Sequence, residues 1–217
     1  MFLGIVAGLA CALFQSVSYV CSAGFMLRYK SSLRLVIFSQ LVMGAFCLPF
    51  APFLFPPQLL ECLPEFILWV IAWIGCFTVG QIGFFTTLRS IEASRMSSLL
   101  GLKILVLAMI CVLFAGTPLS GLQWFAVLLS TVAAVGMNWS GGAHFTRKGL
   151  FWLLVTLVAY SLTDMVETRL VLLPKSGNII RDSFAIGTVC YAVLGILTLP
   201  LLARFRWSTR QFVKAAP

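Results

Sequence analysis

Seven long apolar runs, at residues 3–25, 33–55, 66–88, 96–115, 119–139, 149–173 and 183–203, follow one another with short polar joints between them. About 20 apolar residues in a helix cross the roughly 30 Å hydrocarbon core of a bilayer. None of the runs alternates with a period of two, which argues against the strands of a membrane barrel. The pattern predicts an all-α integral membrane protein with about seven transmembrane helices. The first run has no basic segment ahead of it and is longer than the apolar part of a signal peptide, so it reads as a retained helix.

The joints set the organisation. Arg89 to Arg95 separates the third and fourth runs, and Gly116 to Gly121 separates the fourth and fifth. Such short turns predict antiparallel neighbours. Pro118 suits a helix start, and Phe55-Pro56-Pro57-Gln58 is a stiff exit from the second run. The longest internal break, Asn138 to Lys148, contains Gly141 and Gly142 followed by charges. It marks the expected boundary between a five-helix unit at 1–143 and a remainder at 144–217 that ends in a basic tail. Trp124, Trp139, Trp152 and Trp207 lie near run ends, as interfacial aromatics do. Gly4, Gly8, Ala12, Gly75, Gly80, Gly83, Gly187 and Gly195 recur at spacings that let helix backbones approach closely in lipid.

Composition agrees with the pattern: 61% of the 217 residues are hydrophobic and 10% charged. The net charge of +9 reads as topology rather than as a nucleic-acid surface. Arg28, Lys30, Arg34, Arg89, Arg95, Arg147, Lys148, Arg204, Arg206, Arg210 and Lys214 fall in joints on one side, and Arg169, Lys175 and Arg181 on the other. The positive-inside rule then places the N-terminus outside and the tail in the cytoplasm. Cys11, Cys21, Cys47, Cys62, Cys76, Cys111 and Cys190 are odd in number and show no CxxC, so they read as small apolar residues. With His144 the only histidine, no metal or other cofactor is expected.

Polar residues inside the apolar runs are the candidate chemistry. Gln15, Ser18, Tyr19 and Ser22 share one helical face, and Thr156, Tyr160, Thr163, Asp164 and Glu167 share another. Each stripe is either interhelical hydrogen bonding, worth about 0.6 kcal/mol per contact, or the wall of a wet cavity. The carboxylates favour the cavity for the second stripe, unless the helix ends early and leaves both at the interface. Lys103 lies mid-run, where a lysine costs about 2.5–3.5 kcal/mol. It is expected to face a cavity, an anionic substrate or an acidic partner, Asp164 being one possibility. The candidate substrate-binding set is Gln15, Tyr19, Lys103, Tyr160 and Asp164.

No enzyme is expected. Ser140 and His144 sit in one Gly-Gly turn, whereas an intramembrane serine protease needs them on separate packed helices. The last run has no lysine for a retinal Schiff base. No GxxxxGK[ST] phosphate loop is present.

The segment 80–138 resembles the third to fifth helices of the EamA-type drug/metabolite transporter superfamily. The resemblance rests on Thr87-Leu88-Arg89 and Ile91-Glu92-Ala93-Ser94 at the turn into the fourth helix. It rests also on Pro118, Leu119, Ser120, Gln123 and Trp124 before the fifth, and on Gly136-Met137-Asn138 at its end. It implies two inverted five-helix repeats around a central cavity and alternating access between them, with Gly149 onward opening the second repeat. Thr117 stands where the family often has an acidic residue, and the N-out orientation departs from familiar members. About three helices of the second repeat are missing from the chain. The implied function is transport of a small polar or amphipathic metabolite across the cell membrane (the inner membrane in a Gram-negative cell). The alternative is a non-transporting or truncated membrane subunit whose polar faces only pack helices. The expected partners are the lipid bilayer, an unidentified small substrate, and a second copy or a missing half; nucleic acid is not one.

Overall fold

A computed structural model describes residues 2–29, 31–89, 91–114, 116–139 and 147–204. All regular elements among them are helical: α1 (Phe2–Tyr29), α2 (Ser32–Cys47), α3 (Ala51–Leu54), α4 (Leu63–Thr87), α5 (Ala93–Leu99), α6 (Lys103–Phe114), α7 (Gly121–Trp139), α8 (Arg147–Leu172) and α9 (Ile179–Arg204), with 3₁₀ turns at Pro57–Leu60 and Leu100–Leu102. Six stretches are long and apolar enough to cross a membrane, the one at Ala93–Phe114 joining α5, the 3₁₀ turn and α6. Large apolar side chains such as Phe14, Phe46, Phe53, Leu122 and Ile180 stand exposed. Lipid, not water, is the solvent that tolerates such a surface.

The second apolar run does not form one helix. α2 stops at Cys47, 16 residues long, and the chain turns before α3. Pro49 lacks the N–H that would continue the ladder and its ring cannot follow the preceding turn, whereas Pro52 falls in the first turn of α3, where a proline is tolerated. The fourth run crosses in two pieces, tightened to 3₁₀ geometry at Leu100-Gly101-Leu102 immediately before Lys103.

The helix ends use local chemistry. At α7, the Ser120 N–H donates to Gln123 Oε1 at 2.8 Å and the Gln123 N–H donates to Ser120 Oγ at 3.4 Å, a reciprocal capping box. Pro118 lies in the preceding loop and not at the helix start expected of it. At α9, Asn178 Oδ1 accepts the Arg181 N–H at 3.1 Å, and Gly177 supplies the left-handed residue of the turn at φ 82°.

The chain forms two compact units: Met1–Leu35 with Gly75–Met165, and Val36–Ile74 with Val166–Pro217. In the first, α5 and α6 pack on α7, and α1 packs on α5. α4 approaches α8 through two glycines. A Cβ at Gly80 would lie 2.7 Å from the Tyr160 ring, and one at Gly83 would lie 2.5 Å from Thr156 Oγ1. In the second, α2 and α9 cross at Gly44 and Gly195, where a Cβ on Gly195 would lie 2.6 Å from the Gly44 Cα. Gly8, Gly75 and Gly187 have open space beside them, so the close approach expected at these three is not made. The expected boundary at 143/144, Ser140, His144, Lys30, Trp207 and the basic tail beyond Arg204 lie outside the described residues, as does the side chain of Trp139.

Candidate functional site

Lys103 is the first residue of α6 and sits midway along the broken span. Its Nζ lies 2.7 Å from Asp164 Oδ2 on α8, and the two side chains are 32% and 39% exposed. One turn earlier on α8, the Ser161 hydroxyl lies 3.3 Å from the Lys103 carbonyl and 2.8 Å from that of Leu157. The start of α6 is thus held to α8 through both its side chain and its backbone, at the point where the fourth run changes helical geometry. α8 continues to Leu172, so Asp164 and Glu167 are within the helix and not beyond an early end. The sequence could offer Asp164 only as one possible partner; three-dimensional packing brings the pair together.

Tyr160 lies one turn before Asp164. Its ring covers Gly80 and stands 6.2 Å from that of Phe77. The glycine makes room for the tyrosine, so α4 forms a wall beside this part of α8. Gln15 and Tyr19 form their own pair on α1: Gln15 Nε2 donates to Tyr19 Oη at 2.6 Å. Tyr19 reaches α4 through Phe84, ring centroids 4.9 Å apart. Along the α1 stripe Ser22 is buried, whereas Gln15 and Ser18 are exposed. That stripe is divided between the protein interior and the outer surface.

The other α8 stripe divides differently. Thr156 and Thr163 are buried, but their hydroxyls donate to Trp152 and Ala159 carbonyls of their own helix, both at 2.8 Å. This back-bonding satisfies a hydroxyl without a neighbouring helix. Further interhelical bonds lie outside the two stripes: Asn138 Nδ2 to Ser98 Oγ at 2.8 Å, Thr86 Oγ1 to Ser32 Oγ at 3.3 Å, and Thr198 Oγ1 to Gln40 Oε1 at 3.1 Å. Their positions carry no period that marks them in the sequence.

Sequence reasoning also missed the surroundings of Glu167. In the second unit, Trp73 Nε1 on α4 donates to Glu167 Oε2 at 3.3 Å. Trp73 is 2% exposed, and Tyr191 of α9 packs edge-on against it at 5.2 Å. A mid-helix tryptophan in an apolar run was the available signal, since buried indole N–H groups need an acceptor. An apolar groove of about 240 Å³, lined by Leu48, Pro52, Phe55, Val189 and neighbouring residues of the same unit, offers no polar side chain to a polar substrate. The seven cysteines are free, and no cluster of potential metal ligands occurs among the described residues. No family model, curated protein or solved structure matches the chain.

Proposed function

We propose that the chain is a multi-pass transporter of a small polar or amphipathic metabolite, working by alternating access and similar in plan to EamA-type carriers. The Lys103–Asp164 pair carries this reading. Replacing a buried ion pair by apolar residues is often neutral or stabilising, so helix packing alone supplies no need for two charges inside apolar helices. A solute path does: the cation offers an anion-binding group, and the carboxylate compensates it when the path is empty. The 3₁₀ turn before Lys103 supports a hinge there. Tyr160, Tyr19 and Gln15 supply further polar groups to the path.

The reading includes seven crossings of the cell membrane, N-terminus outside, with α2 as the short seventh span. A second copy covers α1, where Gln15, Ser16 and Ser18 stand exposed. The competing reading, a non-transporting subunit, draws on Thr156 and Thr163, whose hydroxyls are spent on their own helix. Reconstituted vesicles separate the two. Solute-driven currents are measured with a panel of amino acids, small carboxylates and nucleosides. The chain is expected to respond to at least one class, and a folded Lys103→Leu/Asp164→Leu variant is expected to lose the response. Undiminished currents in that variant would remove the pair from the path, and a folded chain silent to the whole panel favours the subunit. A reporter fused within the 56–65 loop should read as external; a cytoplasmic signal there overturns the orientation.

A further inference from the structure

We propose that the end of the first unit where α1 meets α2 and α4 meets α5 binds the phosphate headgroups of anionic phospholipids. The binding follows from charge and from depth in the bilayer, and it holds whether or not the chain carries a solute.

Helix ends from separate parts of the chain come together there. The Thr86 and Ser32 hydroxyls lie 3.3 Å apart and hold the last turn of α4 beside the start of α2. α1 packs on α5. Gly83 of α4 lies against the early part of α8, where an added Cβ would stand 3.2 Å from the Trp152 carbonyl oxygen. Each of these ends carries basic residues within a turn of its limit: Arg28 on α1, Arg34 on α2, Arg89 just past α4, Arg95 on α5, and Arg147 and Lys148 on α8. Arg34 and Arg95 are half-buried and the others exposed. The carboxylate among them is Glu92, 3.7 Å from Arg95. Among the described residues, six cations thus stand against one anion. The second unit is balanced by comparison. Its loop, its α8–α9 turn and the helix ends beside them set Glu61, Glu65 and Asp182 against Arg169, Lys175 and Arg181.

Cations in a joint set topology wherever they lie. They form a concentrated surface only where the fold gathers several joints, and like charges so gathered repel one another until an anion enters. The neighbours of these cations select the anion. Leu27, Leu33, Leu150 and Phe151 stand exposed beside Arg28, Arg34 and Lys148. Lipid tails cover such side chains, so the cations lie at the level of the headgroups. A phospholipid meets both needs at once, with its phosphate among the guanidinium groups and its chains over the leucines. Two N–H groups of one guanidinium donate to two phosphate oxygens. A zwitterionic lipid brings an ammonium that the surplus of cations repels, so the preference is for a headgroup with net negative charge.

The test is the association of spin-labelled lipids with the full chain in phosphatidylcholine bilayers, read as the motionally restricted fraction of the spectrum. Labelled phosphatidylglycerol should be preferred over labelled phosphatidylcholine about fivefold, the factor that one basic residue near a membrane surface contributes. The preference should vanish between about 0.01 M and about 1 M salt, as the Debye length drops from about 30 Å to about 3 Å. It should also fall in Arg28→Gln/Arg34→Gln/Arg89→Gln and persist in Lys175→Gln/Arg181→Gln. A second measurement needs no variant. Phosphatidylglycerol with a photoreactive headgroup should label the peptides that carry Arg28, Arg34 and Arg89, and not those that carry Lys175 and Arg181. Equal association of the two lipids at low salt, a preference that the triple variant keeps, or labelling confined to the α8–α9 turn would overturn the proposal. Glycerol 3-phosphate serves as the soluble competitor. Failure to displace the lipid supports a headgroup surface, whereas ready displacement would assign the cations to a free phosphate and remove the lipid. Neither readout involves flux, so a chain that binds the lipid and moves no solute loses the transport function and keeps this surface.

Discussion

Asp164 and Glu167 are three residues apart on one helix, yet their surroundings differ in kind. Asp164 meets the Lys103 ammonium at 2.7 Å, and Ser161 ties the same turn to the Lys103 backbone. Glu167 meets an indole N–H at 3.3 Å inside an aromatic pair. A carboxylate in a membrane must be matched by a counter-charge or be neutralised. The first region uses the counter-charge, with Lys103 set against Asp164. The second sets a neutral indole N–H against the carboxyl group.

The largest effect is expected where the comparison is sharpest. Asp164→Asn strands Lys103 as a lone cation inside an apolar span and should cost about 2.5–3.5 kcal/mol, the insertion penalty of a central lysine. Glu167→Gln strands no charge and should cost less than about 1 kcal/mol, since an amide oxygen can still accept the indole N–H. Lys103→Met/Asp164→Leu should recover most of the first loss. Unfolding in mixed detergent micelles measures all three. Equal losses for the two single variants would break the distinction between the regions.

The sequence made the outline legible because the apolar runs are long and the bilayer admits few backbone solutions. Five runs, at 3–25, 66–88, 119–139, 149–173 and 183–203, match α1, α4, α7, α8 and α9 to within a few residues. The departures are local. Pro49 ends α2 inside a run whose hydropathy alone continues to Phe55, because hydropathy does not register a missing N–H. The break at Leu100–Leu102 has no proline and one glycine, so it depends on packing, with Gly101 against Ala134 of α7. Lys103 was conspicuous as a charge in oil, but its partner required knowing which face of α8 it meets. Trp73 and Glu167 are 94 residues apart, and no pattern along the chain links them. Small-residue spacing identified Gly80, Gly83 and Gly195 but not Gly44, whose role is visible only from the helix it crosses.

The glycines beneath the two regions sharpen the contrast next. An added methyl at Gly195 meets the backbone of α2 at Gly44, which cannot turn aside. Gly195→Ala should therefore cost about 1–3 kcal/mol, the usual penalty of overpacking. An added methyl at Gly80 meets the Tyr160 ring, a side chain that can rotate away. Gly80→Ala should cost less in stability while disturbing the turn that carries Asp164. The same unfolding measurement, with Gly8→Ala as a control at a position open on all sides, should rank Gly195 first and Gly8 last. A Gly80 loss as large as that of Gly195 would show that the charged region is the more rigid of the two.

The smallest effect tests the bond between Trp73 and Glu167 directly. Trp73→Phe removes one N–H and some buried ring, so the raw loss mixes a hydrogen bond with packing. Measuring it again in a Glu167→Leu background cancels the packing part, because the ring contact with Tyr191 is common to both. The remaining coupling is the N–H to Glu167 bond alone. A neutral acceptor gives about 0.5–1.5 kcal/mol and a charged one about 1.5–3 kcal/mol. The 3.3 Å separation is long for such a bond, so the smaller value is expected. A coupling in the upper range would mean that the indole N–H binds Glu167 as strongly as a charge-assisted pair does. The difference between the two regions would then lie in their partners only.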